Sequence, residues 1–129
     1  MSAVILDASA VLAMLKSEPG CERVARVIDT ARISAVNYAE VVSYFSRAGI
    51  PADAIKAILN PLPLTVVDAD LGLAIVAGNL RAKTADLGLS LGDRFCLAQA
   101  QHEGLPAWTA DKSWVEIAER VGVEVVLIR

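Results

Sequence analysis

Ala3-Val4-Ile5-Leu6-Asp7 is a short, wholly apolar run that ends at an acid. Such a run is typical of a strand buried on both faces, because a strand with one wet face alternates apolar and polar residues. Strands buried on both faces occur in parallel sheets that helices cover on either side. The run therefore predicts an α/β protein in which Asp7 directly follows the first strand.

The rest of the chain alternates short apolar runs with helical patterns, and Pro and Gly residues separate them. Further strands are predicted at residues 32–34, 64–67, 106–109 and 124–128. Helices are predicted at residues 9–16, 21–28, 36–47, 69–83, 90–102 and 112–121, and one more helix has Pro51 in its first turn. This alternation predicts a three-layer α/β/α sandwich with a five-stranded parallel sheet. No repeat or linker interrupts it, so residues 1–129 are expected to form a single domain.

The composition favours a compact, cytosolic protein. Of the 129 residues 55% are hydrophobic, which is enough to bury a core and argues against disorder. The longest apolar stretches, such as residues 71–77, are far shorter than the ~18 residues that a membrane span needs. The N-terminus lacks the basic segment of a signal peptide, and the isolated Cys21 and Cys96 are expected to be reduced, structural thiols.

The charge balance restricts the way in which this chain can bind nucleic acid. The net charge is −3 and the sequence pI is about 5.1, whereas nucleic-acid-binding domains often have a pI above about 9. This argues against a protein that grips duplex phosphates with a basic face. A nuclease stays open, because bound divalent cations reverse the local sign of the charge. The single histidine, His102, argues against a histidine-based zinc site or a histidine general base.

Two acids directly follow predicted strands, Asp7 after the first and Asp111 after the fourth. In open parallel sheets, ligands bind beyond the carboxyl ends of the strands, where the strand order reverses. If the first and fourth strands are neighbours, these two acids face each other across that crevice. Asp93 at a helix start and Glu40 inside another helix are the further candidates.

Four carboxylates in one place repel each other, so some must take up protons or the group must bind cations. Oxygen ligands without histidine or thiolate suit Mg²⁺ or Mn²⁺ rather than zinc. Such an ion can activate water and neutralise a phosphodiester.

Each acid also has a plain structural interpretation. Asp93 follows Ser90 at the spacing of a capping box, and Asp7 and Asp111 each precede a helix that they could cap. Glu40 could be an ordinary solvated helix residue.

Four segments, in this order, resemble the PIN domains, and the chain is similar in particular to the VapC-type toxins of bacterial toxin–antitoxin pairs. The segments are Val4-Ile-Leu-Asp7-Ala-Ser9-Ala, Ser34-Ala-Val-Asn37-Tyr-Ala-Glu40-Val, Leu89-Ser-Leu-Gly-Asp93-Arg94-Phe-Cys-Leu-Ala and Trp108-Thr109-Ala-Asp111-Lys-Ser-Trp114. The resemblance spans essentially the whole chain. It implies a PIN-like sheet with strand order 3-2-1-4-5, which makes the first and fourth strands neighbours.

The resemblance also implies an activity and its machinery. The activity is that of an endoribonuclease on RNA, with transfer, ribosomal and messenger RNA all open as substrates. The implied ligands of Mg²⁺ or Mn²⁺ are Asp7, Glu40, Asp93 and Asp111, and the residues that support them by hydrogen bonds are Ser9, Asn37 and Thr109. The implied partners are a second copy of the chain, in a homodimer, and a VapB-like antitoxin whose C-terminal segment covers the site.

Three details around the site leave alternatives open. Many relatives carry a further acid shortly after the fourth one, where this chain has Lys112-Ser113-Trp114, so a one-metal site is possible. Arg94 and Lys112 are candidates for contact with a phosphate or an antitoxin carboxylate, with a plain surface charge as the alternative. Val11, Leu12 and Leu15, with parts of residues 41–59, are expected to line either an antitoxin groove, a dimer interface or an ordinary core.

Two other functions compete with the nuclease. A catalytically weak binding module would keep the PIN fold and lose the chemistry, and the intact set of four acids argues against it. A phosphoacceptor signalling domain is also an α/β chain of this length, and it needs an acid pair after the first strand and an acid after the third. Here the first strand ends in Asp7-Ala8-Ser9, which is not an acid pair.

Overall fold

The computed structural model describes residues 3–129, which form strands and helices in alternation. The strands are β1 Val4–Leu6, β2 Ala31–Ser34, β3 Thr65–Val67, β4 Ala107–Thr109 and β5 Val125–Leu127. The helices are α1 Ala8–Leu15, α2 Cys21–Val27, α3 Ala35–Arg47, α4 Ala52–Leu59, α5 Leu71–Thr84, α6 Leu91–Glu103 and α7 Val115–Val121. None of these helices within residues 3–129 combines the length and the apolarity that a membrane crossing requires.

The sheet has the predicted topology. Its strands are all parallel and lie in the order β3-β2-β1-β4-β5, which confirms the three-layer sandwich and the order 3-2-1-4-5. The central strand is β1, where Leu6 pairs with Ile33 of β2 on one side and with Trp108 of β4 on the other. The chain leaves β1 towards β2 and later returns to the opposite side at β4, so the strand order reverses between β1 and β4. The carboxyl ends of these two strands thus flank the position where parallel sheets bind ligands.

Each face of the sheet has its own hydrophobic core. Leu6 and Ile33 point to the face that α1 to α4 cover, and Ile5 points to the face that α5 to α7 cover. Trp114 is fully buried in the second core. Val11, on the first face, is 2% exposed, which makes it a core residue rather than part of an open groove.

Two helix starts differ in kind from the sequence predictions, whereas the other predicted helix bounds agree within two residues. Pro51 does not stand in the first turn of α4 but precedes it in extended backbone, with φ −62° and ψ 151°. The predicted helix at 112–121 begins with a separate 3-10 turn, Lys112–Trp114, and only Val115 starts α7. The reason lies in Asp111, whose side chain accepts a hydrogen bond from the amide of Ser113 and tightens the chain there.

Candidate active site

Asp7 lies at the carboxyl end of β1 and is almost completely buried, with 5% of its surface exposed. Its Oδ1 accepts hydrogen bonds from the Ala10 amide at 2.9 Å and from the Ser9 hydroxyl at 2.7 Å, so Asp7 caps α1. Its Oδ2 accepts a hydrogen bond of 2.6 Å from the Thr109 hydroxyl at the end of β4. The fold therefore brings Asp7, Ser9 and Thr109 together where β1 and β4 end.

Burial makes the charge on Asp7 costly. It raises the pKa of Asp7 to about 6, although the hydrogen bonds from Thr109, Ser9 and Ala10 act in the opposite direction. The negative charge of Asp93 adds a smaller contribution to the rise in this pKa. A carboxylate in this position gains from any cation that approaches it.

Asp93 stands in the first turn of α6 and forms a complete capping box with Ser90. The Ser90 hydroxyl accepts a hydrogen bond from the Asp93 amide at 3.1 Å, and Asp93 Oδ2 accepts one from the Ser90 amide at 3.0 Å. Burial raises the pKa of Asp93, and the charge of Asp111 raises it further. The cap occupies only one of the two carboxylate oxygens, so it leaves Asp93 Oδ1 available to a ligand.

Asp111 follows β4 and is exposed. Its Oδ1 accepts hydrogen bonds from the amide and the hydroxyl of Ser113, at 2.9 and 2.7 Å. Its own amide donates to the Thr109 hydroxyl at 3.0 Å, so that Thr109 contacts two of the four acids. Asp111, like Asp93, is thus a helix cap with one carboxylate oxygen left over. Capping and ligand binding are compatible roles for these acids.

Glu40 is held at the site by an amide from its own helix. Asn37 Nδ2 donates to Glu40 Oε1 at 2.8 Å and to the carbonyl oxygen of Gly92 in α6 at 3.0 Å. Burial raises the pKa of Glu40, and the charge of Asp93 adds to the rise. Glu40 is therefore a half-buried residue with a fixed partner, and the interpretation of it as an ordinary solvated helix residue is wrong.

Gly92 belongs to this site, although the sequence analysis did not single it out. A Cβ atom on Gly92 would lie only 2.5 Å from both Cδ and Oε1 of Glu40. The sequence offers only a weak signal, because a glycine inside a helix lowers helix stability relative to alanine but does not indicate which group lies beside it.

Arg94 is not a surface charge, so that alternative is wrong. Its side chain is buried, and Nη1 donates to the carbonyl oxygen of Ala77 in α5 at 3.1 Å. The reason is the packing of α5 against α6, which covers the position of Arg94. Its positive charge still acts on Asp93, whose pKa it lowers. Lys112, in contrast, is exposed beside Asp111.

The four acids fit a hard divalent cation by their donor type and charge. All their donors are oxygens, which suits Mg²⁺ or Mn²⁺. Asn37 Oδ1 is buried and receives no hydrogen bond, so a further polar atom beside Glu40 lacks a partner.

Within residues 3–129, however, no three acid, His or Cys side chains converge closely enough to form a ready-made metal cluster. The caps of Asp93 and Asp111 account for this, since each cap directs a carboxylate towards its own backbone. The caps use Asp93 Oδ2 and Asp111 Oδ1, so the other carboxylate oxygen of each acid would hold such a cation.

The topology also tests the phosphoacceptor alternative. Signalling domains of that kind have the strand order 2-1-3-4-5, in which the third strand lies beside the first. Here β3 is the edge strand and β2 separates it from β1. Asp68, the acid that follows β3, is therefore two strands away from Asp7, and the arrangement does not match a phosphoacceptor site.

Comparisons with known proteins agree with this fold. The PIN domain family model matches residues 4–120. Similar solved structures include a chain of the DNA-bound VapBC from Salmonella typhimurium, with 21% identity, all of both chains covered and a TM-score of 0.75. A toxin-antitoxin complex from Klebsiella pneumoniae is similar at 17% identity, with 98% of both chains covered and a TM-score of 0.73. VapBC-5 from Mycobacterium tuberculosis, a member of the VapBC family of toxin-antitoxin systems, is similar at 21% identity, with 98% of this chain and 99% of that one covered and a TM-score of 0.65. No curated protein sequence matches the chain significantly. The family-model match covers far more than half of the sequence, and the chain belongs to the PIN domain family.

Proposed function

We propose that this chain is a Mg²⁺- or Mn²⁺-dependent endoribonuclease that acts as the toxin of a toxin–antitoxin pair. The observation that carries the proposal is the placement of Asp7 and Asp111 at the carboxyl ends of β1 and β4, where the Thr109 hydroxyl contacts both of them. Asn37 holds Glu40 against the first turn of α6, which also carries Asp93. Burial raises the pKa of Asp7 and Glu40, and the charge of Asp93 adds a smaller contribution to both. Burial also raises the pKa of Asp93, with a smaller contribution from the charge of Asp111. Membership in the PIN family and the likeness to VapBC structures support the same function.

In this proposal Asp7, Glu40, Asp93 and Asp111 hold the ion. A bound ion would supply charge neutralisation at the phosphodiester and activation of a water molecule. The resemblance to the VapC-type toxins implies products with a 5′-phosphate and a 3′-hydroxyl. Asp7 is the fixed member of the set, because three donors hold its two oxygens. Asp93 and Asp111 are the adjustable members, because each has one oxygen outside its cap.

The neighbouring polar residues have supporting roles. The hydroxyls of Ser9 and Thr109 orient Asp7, and the amide of Asn37 orients Glu40. The exposed Lys112 is the proposed contact to an RNA phosphate. Arg94 is left out of this role, because its guanidinium donates to the backbone of α5.

The proposed partner is a VapB-like antitoxin, together with a second copy of the chain in a homodimer. A groove of about 280 Å³ between α3 and α4 is lined by apolar side chains that suit an amphipathic antitoxin segment, among them Tyr38, Val42, Ile50 and Ile55. Amide exchange of the chain alone and of the chain co-expressed with its antitoxin tests this placement. Protection of the groove is expected, and a groove that exchanges equally fast in the complex contradicts it.

Cleavage of a mixed cellular RNA pool by the purified, antitoxin-free chain tests the proposed activity. We expect discrete fragments with 5′-phosphate ends in Mg²⁺ or Mn²⁺, and none in EDTA or with Asp93→Asn. Asp68→Asn is the matched control, because Asp68 is an exposed acid that lies two strands away from Asp7. This variant should cleave RNA like the unmodified chain. Cleavage that survives both EDTA and Asp93→Asn contradicts the proposal. Folded chain that cleaves nothing favours a catalytically weak binding module.

A further inference from the structure

We infer that Gly92 is a positioning residue, whose missing side chain lets the Glu40 carboxylate lie against the first turn of α6 while the Asn37 amide fixes it there. The inference rests on the proposed function, because the position of Glu40 matters only if Glu40 helps to hold the ion. It adds to that function a residue that carries no functional group.

The contact between Gly92 and Glu40 leaves no room for a side chain. A Cβ on Gly92 would meet both Oε1 and Cδ of Glu40 at 2.5 Å and would also overlap Oε2. Real Cβ contacts do not reach such distances, so either α6 or Glu40 must shift when a methyl group is added. The seven residues that follow Asp93 along α6, residues 94–100, are all buried. Because this helix is packed so closely, Glu40 is the group that moves.

Asn37 completes the contact from the other helix. Its Nδ2 donates at once to Glu40 Oε1 and to the Gly92 carbonyl oxygen, and the side chain is only 1% exposed. The two acceptors determine which end of the amide faces them, since only the NH₂ group can donate to both. If Glu40 turns away from Gly92, it loses this hydrogen bond.

The position of Gly92 explains why this contact matters for the site. Asp93 is the next residue along α6, so the same turn of helix carries one candidate ligand and supports another. Gly92 therefore sets the distance between Glu40 on α3 and Asp93 on α6. The carboxylate also gains from the partial positive charge at the N-terminus of the helix.

Gly78 provides a matched control within the same protein. It also lies inside a helix, α5, but a Cβ there would have no atom within 4 Å. Gly78→Ala therefore makes the same chemical change as Gly92→Ala without a steric conflict. Any general effect of alanine on helix formation is common to both variants.

Calorimetric titration of the metal-free chain with Mn²⁺ tests the inference directly. We expect Gly92→Ala to weaken Mn²⁺ binding by about 10- to 100-fold, as is typical when a residue that orients a metal ligand is lost. Gly78→Ala should bind Mn²⁺ like the unmodified chain. Glu40→Asp shortens the acid by one methylene group and makes room for the new methyl group. In a Glu40→Asp background, the further change Gly92→Ala should therefore weaken binding by less than about threefold, because the two changes are coupled.

The outcomes separate this inference from the proposed function. An unmodified chain that binds no Mn²⁺ overturns both of them. Two results would overturn the inference alone, in an unmodified chain that binds Mn²⁺. In the first, Gly92→Ala binds Mn²⁺ as tightly as the unmodified chain. In the second, Gly92→Ala reduces the Mn²⁺ affinity by the same factor with Glu40 and with Asp at position 40. If Gly92→Ala does not fold, the doubly substituted chain should fold, since its conflict with Glu40 is relieved. If neither chain folds, the steric conflict of the new methyl group is not with the Glu40 side chain, and the inference is overturned.

Discussion

Thr109 Oγ1 donates a hydrogen bond of 2.6 Å to Asp7 Oδ2 and accepts one of 3.0 Å from the amide of Asp111. A single hydroxyl at the end of β4 thus contacts two of the four candidate ligands. It also links β4 to the carboxyl end of β1, on the line where the strand order reverses. The position of Asp7 relative to Asp111 therefore depends on Thr109.

Thr109→Val tests this link, since valine keeps the shape of threonine and removes its hydroxyl. In the unmodified chain, the hydrogen bond from Thr109 lowers the pKa of Asp7. Without this hydrogen bond, the pKa of Asp7 should rise above its value of about 6. The lost hydrogen bonds of buried groups should reduce the free energy of unfolding by about 1–3 kcal/mol. Urea unfolding and a carboxyl NMR titration, both of the metal-free chain, measure the two effects. Thr109→Ser, which keeps the hydroxyl, should leave the pKa of Asp7 unchanged and should cost only about 1 kcal/mol for the buried methyl group that it removes. An equal pKa of Asp7 in the two variants contradicts this role.

Asp7 should make the stability of the metal-free chain fall with rising pH. Its pKa is 3.8 in the absence of burial and about 6 in the folded chain. The folded chain therefore binds more protons than the unfolded chain between about pH 4 and pH 6, and stability decreases through that range. The full effect above pH 6 is about 3 kcal/mol.

Comparison with Asp7→Asn isolates this contribution from that of other acids. In EDTA, the free energy of unfolding of the unmodified chain should fall by about 2.4 kcal/mol relative to Asp7→Asn between pH 4 and pH 7. Saturating Mn²⁺ at pH 7 should stabilise the unmodified chain but not the variant. Parallel pH curves in EDTA would show that the Asp7 carboxyl group does not titrate in this range.

The capping box of α6 should contribute to both stability and the site. Ser90→Ala removes the hydroxyl that accepts a hydrogen bond from the Asp93 amide. The loss of this cap should lower the free energy of unfolding by about 1 kcal/mol. It should also raise the pKa of Asp93, because the Ser90 side-chain hydrogen bond lowers that pKa, while the larger lowering by the backbone amide of residue 90 is kept. Thermal unfolding and a carboxyl NMR titration measure these effects. Ser90→Thr retains a capping hydroxyl and is expected to resemble the unmodified chain.

Arg94 and Lys112 should differ in the kinetics of RNA cleavage. Arg94→Met should reduce stability by about 1–3 kcal/mol, because the buried Ala77 carbonyl loses its charged donor, and should leave the KM for RNA unchanged. Lys112→Ala should raise the KM and leave stability unchanged. If the Arg94→Met variant is fully folded and has a raised KM for RNA, Arg94 contacts the substrate and the role described here is wrong.

Much of the fold was predictable because local patterns and long-range packing agree. The apolar run at residues 3–6 forms a strand because the sheet buries both of its faces. The capping box at Ser90 starts α6 at the residue after it. The start of α4 was predicted wrongly, since Pro51 fits both the first turn of a helix and the extended position before it.

The site was less predictable, because its decisive contacts join distant parts of the chain. Asp7 and Thr109 are 102 residues apart, and spacing alone does not show that they share a hydrogen bond. The sequence made Arg94 a candidate for contact with a phosphate or an antitoxin carboxylate, with a surface charge as the alternative, and only the packing of α5 shows that it is buried. Gly92 has no functional group, so its role becomes visible only when Glu40 is seen beside it.

In the proposed function, four carboxylates bind a divalent cation at the ends of β1 and β4. Anomalous diffraction from crystals soaked in Mn²⁺ tests this claim most directly, because it locates the ion independently of activity. We predict one peak within coordination distance of Asp7, Glu40, Asp93 and Asp111, and its absence from crystals of Asp93→Asn. A peak ligated by other residues, or no peak at a concentration of Mn²⁺ that supports RNA cleavage, would contradict the account.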